Sequence, residues 1–170
     1  MPEPSFADLL AASTRTVLKL EFRDQYMTDD PAYLAWRAGN VDQAVSEYAG
    51  WTETASSATA RGIEIKRVRI VSEPMSDYIA FEHAVTSDVN IAAGEVIRWV
   101  PRHRVSAVAL PGNDVWIFDE ATLQFCLFAG DGRFVGNEVR SDAEAVKLCL
   151  SAFEAAWELG IDHEHYSANL

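Results

Sequence analysis

The chain has 170 residues, of which 49% are hydrophobic and 24% are charged. A chain of this length and composition can bury the core of one globular domain, which excludes an intrinsically disordered protein. The formal net charge is −12, so the protein as a whole repels phosphate backbones and anionic lipid surfaces. We therefore expect no direct contact with nucleic acid or membranes.

The expected compartment is the cytoplasm. The N-terminal string MPEPSFADLL has neither the basic nor the apolar region of a signal peptide. No stretch approaches the roughly 18 apolar residues of a membrane span. Cys126 and Cys149 lie among apolar neighbours, which predicts two buried thiols rather than a disulfide.

Capping residues and hydrophobic periodicity predict three helices and one strand in the first part of the chain. Ser5 would cap a short helix, Asp30 and Pro31 would open a second, and a longer one would run from about 41 to 61. The string VLKLEFRDQY alternates between apolar and charged residues, which predicts a half-buried strand. Its two faces would carry Leu18, Leu20 and Phe22, and Lys19, Glu21 and Arg23.

The rest of the chain alternates between strands and helices. Strands are predicted at IEIKRVRIV (63–71), EVIRWV (95–100), VWIFD, TLQFCLF and RFVGNEV. Ser72 and Pro74 would open a helix after the first of these strands. Ser141 and Glu144 form a capping box for the last helix. This order predicts an α/β fold, a single domain with a mixed sheet flanked by helices.

The acidic excess is not uniform along the chain. Residues 61–104 hold seven basic and six acidic groups, a net charge of +1, while the remainder carries −13. Arg67 and Arg69 lie two apart on one strand and so share a face of the sheet, and Arg98 on another strand could join them. These arginines either pair with Glu73, Glu82 and Glu95 in a structural network or form a cationic pocket for a small anionic ligand.

Two further segments have alternative interpretations. The aromatic residues Tyr26, Tyr33, Trp36, Tyr48 and Trp51 are expected to be core, and their region is also the first choice for a protein contact. The string DHEHY could supply metal ligands, but it follows the last helix, so we expect a surface tail without a metal site. No cofactor is predicted.

Several strings together resemble an actinobacterial family of unknown function. They are LEFRDQY, RVRIVSEPMSDYIAFEHAVT, AAGEVIRWVPRH, LPGNDVWIFDE, FAGDG and AFEAAWELGIDHEHY. Members of that family are commonly encoded beside helix-turn-helix regulators of the xenobiotic-response type. The resemblance therefore implies a regulatory role, with such a regulator as the protein partner.

Residues 58–160 also resemble a degenerate half of the phospholipase D fold, between N-terminal elements (1–57) and a C-terminal tail (161–170). That family's motif is His-x-Lys-x-x-x-x-Asp, in which His attacks phosphorus, Lys holds the phosphate and Asp orients the His partner. If Asp119 matches the motif Asp, Asp114 stands in the Lys place and Gly112 in the His place, while Cys126 replaces a later glycine.

A carboxylate in the place of the phosphate-binding ammonium would repel the substrate. We therefore expect Asn113 and Asp114 to shape the turn before a strand. The ends of the strands remain a natural crevice for a ligand.

These patterns predict a non-catalytic regulatory accessory protein that binds a helix-turn-helix regulator, a small anionic ligand, or both. The alternative is a diverged phosphodiesterase, nuclease or toxin-like enzyme with an unrecognised site. The candidate ligand-binding residues are polar, lie near predicted strand ends and fall in the strings above. They are Arg67, Arg69, Glu73, Tyr78, Glu82, Glu95, Arg98, Asn113, Asp114 and Asp119.

Overall fold

Seven strands form one mixed sheet in the computed structural model, which describes residues 3–167. The strands are β1 (Thr16–Glu21), β2 (Glu64–Val71), β3 (Val96–Pro101), β4 (Val115–Phe118), β5 (Thr122–Phe128), β6 (Phe134–Arg140) and β7 (Ile161–Asp162). Their order in the sheet is β6-β5-β4-β1-β2-β3-β7. Strands β1, β2 and β3 are parallel, and the other neighbours are antiparallel. The predicted α/β fold with a mixed sheet is confirmed.

Within residues 3–167, six α-helices flank the sheet. They are α1 (Phe6–Ala12), α2 (Pro31–Arg37), α3 (Val41–Ser46), α4 (Ala49–Ala60), α5 (Asp77–Thr86) and α6 (Ala143–Glu158). A π-helical turn (Ser87–Ile91) extends α5. No helix among the described residues is long and apolar enough to cross a membrane.

The caps explain where the helices begin, with three differences from the predictions. Ser76 caps α5, which begins at Asp77, so the expectation that Ser72 and Pro74 open this helix is wrong. Ser5 and Asp30 cap α1 and α2 as predicted. Asp142 rather than Ser141 caps α6, because its Oδ1 accepts from Ala145 N at 3.0 Å. The single helix expected from about 41 to 61 is two helices, since Tyr48 leaves the helical conformation between α3 and α4.

One face of the sheet carries an ordinary apolar core. Leu18 and Leu20 of β1 pack with Val68 and Ile70 of β2 beneath α6. Helix α6 contributes apolar residues to this core, namely Cys149, Ala152, Phe153 and Ala156. Cys149 and Cys126 are buried free thiols, as predicted.

The opposite face of β1 is also buried, so the prediction of a half-buried strand is wrong. Strand β1 lies between β4 and β2 in the middle of the sheet, where helices cover both faces, as is usual for parallel strands. Lys19 is only 5% exposed. The charged side of this strand therefore faces the protein interior.

The segment after α6 packs against the protein, which corrects the expected surface tail as far as residue 167. Strand β7 pairs antiparallel with β3. Trp99 Nε1 donates to His163 Nδ1 at 3.0 Å, and the ring of Tyr166 stacks on Trp99 with centroids 5.6 Å apart. Residues 168–170 of the expected tail lie outside the described residues.

We predict that Tyr166→Ala lowers the free energy of unfolding by about 3 kcal/mol, since it removes a buried aromatic ring. Tyr166→Phe keeps the stacking and loses only the hydrogen bond from Tyr166 OH to Glu73 Oε1 (2.9 Å), so it should cost about 1 kcal/mol. Urea unfolding followed by circular dichroism measures both. A Tyr166→Ala protein as stable as the wild type would contradict the packed C-terminal segment.

Candidate functional site

A cavity of about 320 Å³ lies between the charged face of the sheet and the helices that cover it. Strands β1, β2 and β4 supply its floor, and α4, α5, the π-helical turn and the loop around Met27 supply its walls. Aromatic side chains form much of the lining: Tyr26, Tyr48, Trp51, Tyr78, Trp116 and Phe128. This volume is at the lower end of the range for small-molecule sites.

The register of the parallel strands brings the floor charges together. Lys19 stands opposite Arg67, and Glu21 stands opposite Arg69. Side chains at alternate positions of a strand share a face, so all four point to the cavity side. Adjacent strands therefore place three cations around one carboxylate.

Glu21 binds both arginines. Its Oε1 accepts from Arg67 Nη1 at 2.6 Å, and its Oε2 accepts from Arg69 Nε at 2.9 Å. Burial alone would raise the pKa of Glu21, but the charges of Arg67, Arg69 and Lys19 hold that pKa well below its usual range. Glu21 is therefore ionised at neutral pH.

Arg67 has a second carboxylate partner in Glu95, the residue that precedes β3. Arg67 Nε donates to Glu95 Oε2 at 3.0 Å. The other oxygen of Glu95 accepts from Trp51 Nε1 at 2.6 Å and from Asn90 Nδ2 at 2.7 Å. This guanidinium is held between two carboxylates, Glu21 and Glu95, and both accept further hydrogen bonds.

Arg69 connects the floor to helix α5. Its Nη1 donates to Thr86 Oγ1 at 2.6 Å, and its guanidinium lies over the ring of Trp99, 5.1 Å from the centroid. Its Nε is 3.8 Å from Glu82 Oε2, too far for a hydrogen bond. The pairing of Arg69 with Glu82 is therefore weaker than its pairing with Glu21.

Glu82 is the least satisfied carboxylate of the site. Its Oε2 is buried and has no hydrogen-bond partner among residues 3–167. Burial, reinforced by the negative charges of Glu21 and Asp114, raises the pKa of Glu82 to about 7 against the opposing charges of Arg69 and Arg67. Its protonation state therefore changes near neutral pH.

Asp114 is part of the cavity, which corrects the expectation that it shapes a turn. It is 1% exposed and accepts hydrogen bonds from Tyr26 OH and from Phe22 N, the latter at 3.2 Å. Burial and the charge of Glu21 raise the pKa of Asp114. Lys19, the nearby cation, donates to Cys126 Sγ at 3.0 Å and lies over the ring of Trp116.

The structure brings together six of the ten candidate residues. Five line the cavity and Glu95 lies behind Arg67; the five are Arg67, Arg69, Tyr78, Glu82 and Asp114. Sequence reasoning missed other lining residues, among them Lys19, Glu21, Asp30 and Asn90. For Lys19 and Glu21, the signal was their alternation with leucines in β1.

Four candidates lie elsewhere. Arg98 pairs with Val68 in the sheet and so lies on the opposite face from Arg67 and Arg69, where it donates to Asp162 Oδ1 at 2.8 Å. The idea that it joins the two arginines is therefore wrong. Glu73 accepts from Tyr166, and Asn113 lies in the turn before β4.

Asp119 stabilises the junction of two segments rather than a pocket. Its carboxylate accepts from the backbone N–H groups of Thr14, Arg15 and Thr16 at 2.8, 2.8 and 2.9 Å. Its φ of +48° lies in the left-handed region, which Asp tolerates better than most residues. These bonds fix the turn between β4 and β5 against the start of β1.

We predict that Glu21→Gln lowers the free energy of unfolding by roughly 3 kcal/mol, because it leaves two buried guanidinium groups without their shared charge partner. Glu64→Gln is the control, since Glu64 pairs with Lys66 on the surface and should cost less than about 0.5 kcal/mol. Urea unfolding of both variants is the measurement. If both variants lose the same free energy of unfolding, the buried ion pairs of Glu21 contribute no more to stability than a surface ion pair does.

Comparison with solved structures supports the fold. A crystal structure of a phospholipase D family member, Nuc from Salmonella typhimurium, matches with a TM-score of 0.50 and 12% sequence identity. The match covers 92% of this chain and 86% of that one, so it extends beyond residues 58–160. At this identity the likeness concerns the fold alone.

Comparison at the level of sequence identifies the family. No curated protein matches the chain. The family model described as Domain of unknown function (DUF6879) matches residues 4–168, which is nearly the whole sequence. The chain therefore belongs to the DUF6879 family.

Proposed function

We propose that this protein is a non-catalytic accessory protein that binds a small ligand in the central cavity and acts on a helix-turn-helix regulator. The observation that carries the proposal is the cavity itself, which combines aromatic walls with fixed charges on a rigid sheet. Pockets with a mainly apolar lining and a few convergent polar groups are the usual sites of small ligands. In this proposal the ligand changes how the protein holds its partner.

The positions of the phospholipase D motif support binding rather than catalysis. Asp114, in the Lys place, is buried against Tyr26 and the backbone of Phe22. Asp119 is occupied with three backbone N–H groups, and Gly112 offers no nucleophile. Phosphoryl transfer by this family's route needs both a nucleophile and a phosphate-binding cation at these places.

The net charge supports the proposed partner. At −12, the surface would attract a basic protein and accelerate the encounter, while repelling the DNA to which that protein binds. The proposed setting is the cytoplasm of an actinobacterium that encodes a regulator of the xenobiotic-response type beside this chain. Association with the regulator's basic surface would compete with its hold on DNA.

The arginines alone suggested an anionic ligand, and the lining residue to which such a ligand would bind is Lys19. Lys19 forms no ion pair with a carboxylate among residues 3–167, and its ammonium group donates to Cys126 Sγ and lies over the Trp116 ring. An anion entering the cavity would bind there. Arg67 and Arg69 contribute less, since each already binds Glu21.

We predict that a library of small anions, cations, zwitterions and neutral compounds contains ligands that raise the melting temperature of the wild-type protein. A ligand at about 100 times its Kd adds roughly 2.7 kcal/mol to the free energy of unfolding. Val85→Trp and Met27→Trp, which fill the cavity from a buried and a half-buried position, should abolish the shift. Val135→Trp, on the exposed edge strand, should leave it unchanged.

The opposite outcome would contradict this prediction. If no compound stabilises the wild type more than it stabilises Met27→Trp, the cavity is not a ligand site. Circular dichroism establishes beforehand that both cavity variants are folded.

We predict that the purified helix-turn-helix regulator encoded beside this chain binds the protein. The Kd of the complex should rise steeply as NaCl is raised from about 50 to about 500 mM, because salt screens exposed charges. Isothermal titration calorimetry measures the Kd. A ligand found with the library should change this Kd for the wild type but not for Val85→Trp. Absence of binding at about 50 mM NaCl would contradict the regulatory half of the proposal.

A further inference from the structure

We propose that the ligand of the cavity is a small organic cation that carries an N–H donor, bound by Glu82 and enclosed by the aromatic walls. The inference rests on the proposed function as a small-ligand-binding protein and specifies the chemical class of the ligand. An amine or an amidine attached to a compact apolar body fits this description.

The charge balance of the lining favours a cation. Three cationic side chains line the cavity, namely Lys19, Arg67 and Arg69. Four carboxylates line it, namely Glu21, Asp30, Glu82 and Asp114, and Glu95 adds a fifth behind Arg67. When all of these groups are in their charged forms, a ligand with one positive charge brings the set closer to neutrality, whereas an anion moves it further away.

The two arginines are already compensated. Arg67 lies between Glu21 and Glu95, with N–O distances of 2.6 and 3.0 Å. Arg69 binds Glu21 at 2.9 Å and donates to Thr86. An anion would have to compete with these carboxylates, and a guanidinium gains little from an additional partner when its charge is already neutralised.

Glu82 lacks the donor that a cation would supply. Its Oε2 is buried without a hydrogen bond and lies 3.8 Å from Arg69 Nε. A buried carboxylate oxygen without a donor loses the solvation that it has in water, at a considerable cost in free energy. A ligand N–H group placed against this carboxylate would remove that cost.

Aromatic rings line the cavity together with the carboxylate. Tyr78 stands four residues before Glu82 on α5, so the two share a face of the helix, and Tyr26 and Tyr48 line the same cavity. The rings of Tyr26 and Tyr78 are 5.7 Å apart. Ring faces attract cations through their quadrupole, and aromatic cages recognise onium groups in this way.

The number of protons released or taken up on binding distinguishes a cationic ligand from an anionic one. Besides Glu21, other titratable or charged groups face Glu82 from several elements: Arg67, Arg69, Asp114, Tyr26, Tyr48 and Tyr78. A cation binds best to ionised Glu82, so its binding releases a proton and tightens as pH rises through about 7. An anion favours neutral Glu82, so its binding takes up a proton and weakens over the same range.

The test uses three probes with the same ring: 2-phenylethylammonium, 3-phenylpropionate and 2-phenylethanol. Isothermal titration calorimetry with the full chain should give a Kd for the ammonium about tenfold or more below that of the alcohol, as for one hydrogen bond to a charged group. That Kd should be about tenfold lower at pH 8 than at pH 6, since one carboxyl group is titrated. Glu82→Gln should remove both effects and leave the alcohol's Kd unchanged.

Two controls separate this site from other causes. Glu64→Gln changes an exposed carboxylate and should bind the ammonium like the wild type. Met27→Trp fills the cavity and should bind none of the three probes. If Glu82→Gln fails to fold, the heat of binding to the wild type in two buffers of different ionisation enthalpy still counts the protons released between pH 6 and pH 7.

The outcomes distinguish this inference from the proposed function. If the propionate or the alcohol binds more tightly than the ammonium and Met27→Trp abolishes that binding, the cation is wrong and the ligand cavity stands. If protons are taken up rather than released, the inference is likewise overturned. If none of the three binds the wild type, the cation inference fails, and the compound library alone decides whether the cavity is a ligand site.

Discussion

The carboxylate of Glu21 binds Arg67 and Arg69 in the middle of a sheet that is covered on both faces, and the cavity depends on this interaction. Two guanidinium groups on adjacent positions of one strand face would repel each other and lose their hydration when buried. Glu21, directly opposite Arg69 on the neighbouring parallel strand, compensates both. Because Glu21 neutralises the two arginines within the sheet, the helices that cover this face need not supply charge partners for them and can leave a space above the sheet.

The strands were predictable from sequence, but whether their charged face meets solvent or the protein interior was not. Alternation of Leu18 and Leu20 with Lys19 and Glu21 predicts a strand correctly. It does not say whether the charged side meets water or an interior, because that depends on whether helices cover it. The same is true of Arg98. It lies on the other face of the sheet from Arg67 because it pairs with Val68, and the sequence does not reveal that register. Asn90 belongs to a π-helical turn after α5, which leaves no periodicity to detect.

The two aspartates that comparison with the phospholipase D motif singled out, Asp114 and Asp119, both have structural partners. Asp119 binds three backbone N–H groups at the junction of β1 with the β4–β5 hairpin, which stabilises the centre of the sheet. Asp114 binds Tyr26 and the residue after β1, so it fixes one wall of the cavity. Both residues were found from the motif, and neither role follows from it, because their partners are distant in sequence.

The carboxylates of Glu21 and Glu82 differ in a way that bears on function. Glu21 has two close guanidinium donors and stays ionised, so it behaves as part of the scaffold. Glu82 has one guanidinium at 3.8 Å and an oxygen without a donor, so the protein itself stabilises its ionised form poorly. No group among residues 3–167 donates a hydrogen bond to that oxygen. The wall of the cavity therefore carries a carboxylate oxygen that lacks an N–H donor, and a ligand can supply that donor.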